Sequence, residues 1–218
     1  MILISSMGGC ASTSLLGWFS KRVECNCPLN SEGYRKRGPG ANPKGLKHRQ
    51  VPPRNDDKYL LRENSFDREE INEGPITRAL FLYDSPYAMV PSLFRRKIAG
   101  GHAKAITGKK PSPNNTIENF LNKQEDAFGF YKQFDSWSNY EIDRDYERLL
   151  VHFSAVWDYS EYIFEFLGVD KAHLKAFPRK RNRKNRYGEL DADSKEKMMF
   201  IYKELDDRMK KFPKVVVI

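Results

Sequence analysis

Met1 to Ser20 carry no charged side chain, and within them Gly8, Gly9, Cys10, Ala11, Ser12 and Thr13 form an unbroken run of small residues. A short strand over Met1 to Ser6 leads into that run, and a helix opens at Thr13. A strand feeding a small-residue loop onto a helix N-terminus builds an anion site. Backbone N–H groups can approach a phosphate there, and the helix dipole favours its charge. Ser12 and Thr13 add hydroxyl donors. An ATP or GTP loop of the Walker type requires Gly-Lys-Ser/Thr, and no Lys occurs here. The same residues also suit a plain buried strand and helix. A secretory signal, or a lipoprotein-type signal ending at Cys10, is disfavoured because no Lys or Arg leads the segment and Ser and Gly break its apolar runs.

Two further groups carry chemistry. Lys47-His48-Arg49 stands just before Pro52-Pro53. An imidazole titrates near working pH and suits a proton acceptor, although His48 equally suits a solvated loop and Lys47 a surface position. On a strand the two neighbours would point to opposite faces, so both serve one site only where the strand has ended. The tract from Arg179 to Arg186 holds six basic residues in eight. It could close over a phosphate, bind nucleic acid, act as a nuclear address or form a solvated loop.

The bulk numbers set limits. The 218 residues suit one domain, 1–218, with 39% hydrophobic and 31% charged residues and a net charge of +9. A basic surface attracts polyanions, phosphorylated cofactors or anionic membranes without choosing among them. No apolar run approaches a membrane span. Cys10, Cys25 and Cys27 are an odd and sparse set, which points to a reducing, cytoplasmic setting. No second His or Cys pair lies at zinc-like spacing from Cys25 and Cys27, so no metal is expected.

The positioning elements follow from periodicity. Arg78 to Tyr83 is a short interior strand, and Asp84-Ser85-Pro86 starts a helix with Pro86 in its first turn. That helix should run to about Ala99, with Pro91 kinking it or marking its true start, and loosen at Gly100-Gly101. Loops are expected over 28–44 and 102–117, and irregular structure over 54–76. Gly45 to Arg49 forms a short strand in this scheme. Arg148 to Phe153 is the next strand, Ala155 to Gly168 a helix, and Phe128 to Trp137 core or pocket wall. Asp193-x-x-Glu196 resembles a capping box for a last helix ending near Phe212. Strands separated by helices imply parallel pairing and a three-layer α/β domain with ligands at the carboxyl ends of the strands.

Several segments, taken in chain order, resemble one family. They are Gly8-Gly-Cys-Ala-Ser-Thr13, Lys47-His-Arg-Gln-Val-Pro-Pro53, Phe81-Leu-Tyr-Asp84-Ser-Pro86 through Ser92-Leu-Phe-Arg-Arg96, Leu150-Val-His-Phe-Ser-Ala-Val-Trp157 through Phe166-Leu-Gly168, and Phe177-Pro-Arg-Lys180. Together they resemble the sulfotransferases. Those enzymes have a P-loop-NTPase-like α/β fold and move a sulfuryl group from 3′-phosphoadenosine 5′-phosphosulfate (PAPS) to an acceptor hydroxyl or amine.

The resemblance implies roles. Gly8, Gly9, Cys10, Ala11, Ser12 and Thr13 would hold the 5′-phosphosulfate, Arg179 and Lys180 would close over the 3′-phosphate, and Ser92 would be a further cofactor-binding residue. His48 would take the acceptor proton, and Lys47 would face the bridging oxygen. No metal is required, and the acceptor would be a small molecule or a carbohydrate. The chain departs from the family pattern at Gly9, where a basic residue is usual, at Ala11, where Gly is usual, and at Asp84, where an Arg binds the 3′-phosphate. Aligning Lys47 puts Arg49 where the family His belongs. An inactive relative that binds a phosphorylated ligand or partner, and a basic nucleic-acid-binding protein, are the alternatives.

Overall fold

The computed structural model describes residues 1–8, 10, 12–23, 25, 50–55, 61–63, 70–72, 75–107, 116–180 and 186–218. Its centre is a four-stranded sheet in the order β1 (Ile2–Ser6), β4 (Arg78–Tyr83), β5 (Glu147–His152), β6 (Val215–Val217). The first three strands run parallel and β6 is antiparallel to β5. Every residue of β1 is buried, Ser5 and Ser6 included. This is what a parallel strand covered on both faces demands, and it explains an apolar run without alternation. The chain is therefore α/β, as its pattern of strands and helices implies.

Helices cover both faces, and the period of β4 shows which. Phe81 stacks on Trp137 with ring centroids 4.5 Å apart, and Tyr83 meets Phe134 at 5.4 Å. Both partners lie on α5 (Phe130–Ser138). On the opposite face Arg78 donates to the Phe166 carbonyl of α6 (Ser160–Leu167) at 2.6 Å. Phe164 of α6 packs on Phe19 of α1 (Ser12–Phe19) at 5.9 Å. The aromatic stretch from Phe128 to Trp137 thus supplies core, with Phe128, Phe130, Phe134 and Trp137 all buried.

Several elements differ from sequence expectation. The helix beginning at Pro86, α2, ends at Arg95, and Pro91 lies inside it. A separate helix, α3, covers Ala99–Thr107 where a loop was expected. Gly100 and Gly101 each weaken a helix by about 1 kcal/mol. Burial of Ala99, His102, Ala103 and Ile106 along one face outweighs that loss. Two short antiparallel strands, β2 (Leu61–Glu63) and β3 (Glu70–Asn72), pair within the stretch expected to be irregular. α4 (Ile117–Leu121) follows. The last helix, α7 (Ala192–Lys211), is capped by Asp191 instead of Asp193: Ser194 donates to it through N–H and Oγ, each at 2.8 Å. The strand expected over Gly45–Arg49 lies outside the described residues.

The chain end closes the sheet. After α7, the Pro213 carbonyl accepts the Tyr83 hydroxyl at 2.8 Å and the Lys214 carbonyl accepts the His152 N–H at 2.7 Å. β6 then covers the outer edge of β5. Arg148, buried in β5, points its guanidinium at the end of α5, where it donates to the carbonyls of Trp137, Asn139 and Ile142 at 3.3, 3.1 and 3.0 Å and to that of Ser136 at 3.5 Å. Burial pushes its pKa below the usual arginine value. A cation at a helix C-terminus complements the dipole and the orphan carbonyls.

Replacing Arg148 with Leu should therefore remove donors from several partly buried carbonyls at once. A loss of about 3 kcal/mol is expected from urea unfolding. A loss below about 1 kcal/mol would mean that water satisfies those carbonyls instead.

Candidate functional site

The carboxyl ends of β1, β4 and β5 lie side by side because the strands pair in register, Ser6 with Leu82 and Tyr83 with His152. Beyond β1 the Met7 N–H still donates to the Leu82 carbonyl at 3.1 Å. The chain then turns at Gly8, whose φ of +94° lies in the left-handed region. The Gly8 N–H donates to Ser6 Oγ at 3.3 Å. Cys10 is buried, with its Sγ 3.1 Å from the Gly8 carbonyl and 3.4 Å from Met89 Sδ. His102 of α3 lies directly over the turn, its Nε2 2.8 Å from the Met7 carbonyl. A Cβ on Gly8 would fall 2.1 Å from His102 Cε1. One side of this bend is thus filled by a neighbouring imidazole, and the Gly8 amide already has an acceptor.

The other expected site residues distribute unevenly. Ser12 and Thr13 are the first two residues of α1; their hydroxyls, together with Gly9, Ala11, Lys47, His48 and positions 181–185, lie outside what is described. Ser92 sits half-buried on α2. Arg179 and Lys180 are exposed. The segment before them is tied down at three points. Trp18 Nε1 donates to the Ala176 carbonyl at 3.0 Å, Trp157 Nε1 donates to the Pro178 carbonyl at 2.6 Å, and Phe177 packs 5.2 Å from Phe164. Trp157 lies just past the end of β5, so Arg179 leaves from that end of the sheet. Lys180 Nζ stands 6.0 Å from the Trp157 ring.

Sequence reasoning missed a polar corner at the ends of β4 and β5. Asp84 is 8% exposed, and its Oδ1 accepts the Ser85 N–H at 2.9 Å and faces His152 Nε2 at 3.6 Å. His152 Nδ1 accepts the Ser154 N–H at 3.2 Å and lies 2.8 Å from Ser154 Oγ. The backbone donor makes Nδ1 the acceptor, so the neutral ring carries its proton on Nε2, toward Asp84. The ring also caps the 3₁₀ turn Phe153–Ala155. Burial lowers the His152 pKa; Asp84 opposes that shift and Lys214 adds to it. Beside them Ser85 Oγ donates to Asp206 Oδ1 at 2.5 Å, and Lys210 Nζ pairs with Asp206 Oδ2 at 2.6 Å. The rings of Tyr87 and Tyr187 meet at a tilt, with centroids 4.8 Å apart. The Tyr87 phenol is pushed up to about 12, first by burial and then by Asp206. The available signal was position: Asp84 and His152 are where adjacent parallel strands end.

Chemically the corner offers a fixed carboxylate beside an imidazole whose burial resists protonation. Among the described residues no group of three or more His, Cys, Asp or Glu could hold a metal ion, and no helix is long and apolar enough to cross a membrane. Comparison of the chain with protein-family models, curated proteins and solved structures finds no match.

Gly8→Ala would press a methyl into His102 and strain φ, and it should destabilise the fold by about 2 kcal/mol or more in urea unfolding. Adding His102→Ala should lose less than the sum of the two single changes, because the clash is then absent. Strict additivity would show that the ring does not cover the turn.

The His152 pKa, followed by NMR, should lie below its ordinary 6.5. Because the unfolded chain binds a proton that the folded ring resists, this group's contribution to stability falls as pH drops through that value. Asp84→Asn removes the charge that favours imidazolium and should lower the His152 pKa further. A rise would show that the two side chains do not face each other in solution.

Proposed function

We propose that the carboxyl edge of β1, β4 and β5 binds an adenosine-type nucleotide, and that the chain is a sulfotransferase-like protein. Its reaction would move a sulfuryl group from a phosphosulfate donor to an acceptor hydroxyl, a carbohydrate being among the acceptors that suit it. PAPS is the donor the resemblance implies. The observation that carries this reading is the pairing of Ser6 with Leu82, which sets the Gly8 turn beside Asp84-Ser85-Pro86. Those are two of the segments that resemble the family, and parallel α/β sheets bind ligands at this edge. The tether that brings Arg179 and Lys180 out beside Trp157 adds cations near the third strand.

Transfer requires the acceptor hydroxyl in line with the sulfur, a base to take its proton, and donors where charge grows on the leaving phosphate. In this reading the amides leading into α1 stabilise that leaving group. His48 remains the proposed base and Lys47 its neighbouring cation.

A second reading is favoured by two observations: a carboxylate at the end of β4 and an imidazole over the Gly8 turn. It is a non-catalytic relative that keeps the frame and holds a phosphorylated ligand or partner.

Thermal shift with AMP, adenosine 5′-phosphosulfate and adenosine 3′,5′-bisphosphate tests the nucleotide site. A ligand at 100 times its Kd should stabilise the fold by about 2.7 kcal/mol and raise Tm. No rise with any of the three at millimolar concentration would end the proposal. Incubation with radiolabelled phosphosulfate donors and an acceptor panel separates the two readings: label transfer supports the enzyme, and binding without transfer supports the inactive relative.

A further inference from the structure

The charge of the chain is unevenly spread. Residues 171–186 hold eight Lys or Arg and no Asp or Glu. The other 30 basic residues are nearly matched by the 29 acidic ones, so most of the net +9 belongs to this one stretch.

The fold fastens the start of it. In the 3₁₀ turn Lys171–Ala176 the Ala172 N–H donates to Asp170 Oδ1 at 2.8 Å. Leu174 and Phe177, three residues apart, pack against the core and leave Lys175 outside. Phe177 lies 5.0 Å from Trp18 and 5.2 Å from Phe164. The indole N–H groups of Trp18 and Trp157 hold the Ala176 and Pro178 carbonyls. Arg179 and Lys180 follow directly and are exposed. Lys171 is engaged with Glu165 at 3.1 Å and Arg186 with Glu189 at 2.5 Å. Lys175, Arg179 and Lys180 are therefore the cations this face presents most openly among the described residues.

Beside them stands the half-buried ring of Trp157. Phe153 meets it nearly at right angles, 5.1 Å away, and Lys180 Nζ lies 6.0 Å from its centre. A nucleotide unit has a flat π-face and a phosphate, and an aromatic ring among cations offers a counterpart to each. Exposed charges hold a single small anion weakly, because salt screens them. A polymer that meets several at once releases several counterions, and those gains add. The same features separate the polyanions. An anionic membrane takes amphipathic rings into its interface, whereas both indoles here are tied to backbone carbonyls. A duplex is read by a helix or a β-ribbon in its major groove, whereas this face is a 3₁₀ turn and the chain leaving it.

We propose that Lys175, Arg179, Lys180 and the Trp157 ring form a surface for single-stranded nucleic acid, the cations taking backbone phosphates and the indole stacking a base. This surface does not require the nucleotide site at the sheet edge.

Fluorescence anisotropy of the full chain with a labelled oligo(dT) of about 15 nucleotides tests this. Binding should be evident at about 50 mM salt and weaken steeply as salt is raised. Replacing Lys175, Arg179 and Lys180 together with Gln should reduce the slope of log K against log salt by about 2. All three side chains are exposed, so urea unfolding of this variant should match that of the unaltered chain. A strand of equal length built from abasic sugars gives a test that needs no variant: it should bind at least about fivefold more weakly, because it has no base to stack. Failure of oligo(dT) to bind at low salt would overturn the proposal. An unchanged slope in the variant would overturn it too, by putting the contact elsewhere. Equal binding of the abasic strand would reduce the surface to a general polyanion site and overturn the assignment to nucleic acid.

Discussion

β4 is the constraint on which the molecule rests. It is the strand flanked by parallel neighbours on both sides, pairing residue by residue with β1 and β5. Its two faces meet different helices, so its register is tightly specified. A slip of one residue would exchange Phe81 and Tyr83 with Leu80 and Leu82. It would also take Phe81 off the flat face of Trp137 and carry Arg78 away from the Phe166 carbonyl. The same register sets the exits of the three strands at one level. The carboxyl edge follows from that alignment, because strand exits at one level let the loops after them converge.

The polar corner is assembled by the end of the chain as much as by its middle. α7 delivers Asp206 and Lys210 beside Ser85, and the turn after it ties Pro213 to the Tyr83 hydroxyl and Lys214 to the His152 backbone. β6 then takes up the free edge of β5, which would otherwise present an unpaired ladder. The His152 ring is oriented by Ser154 on one nitrogen and faces Asp84 with the other. Residues separated by more than a hundred positions thus share one small volume, and the chain between them supplies the core that fixes it.

This division explains what could be read from the sequence. β1, β4 and β5 were legible as short apolar runs, and Pro86 marked the start of α2 because a first-turn Pro gives up no hydrogen bond. α3 was not legible, since Gly100 and Gly101 argue locally against a helix and only its packing against the Gly8 turn and Phe128 reverses the balance. The Asp191 cap was hidden by the equally plausible Asp193-x-x-Glu196. β6 was missed because three valines at a chain end carry no period. Asp84 and His152 each looked isolated in sequence, and their proximity exists only through strand pairing. The Gly8 to Thr13 run was legible as a turn, but which of its donors are already committed was not, because that depends on Ser6 Oγ and on a ring contributed by α3.

The distribution of charge over the edge constrains any ligand. The net charge of +9 gives the whole molecule a positive field, yet the described parts of the edge present few cations directly. The Gly8 turn is uncharged, Asp84 brings a carboxylate, and burial makes His152 resist protonation. Arg179 and Lys180 are exposed. Exposed charges act over a screening length of about 8 Å at physiological salt, so they guide an anion inward more than they hold it.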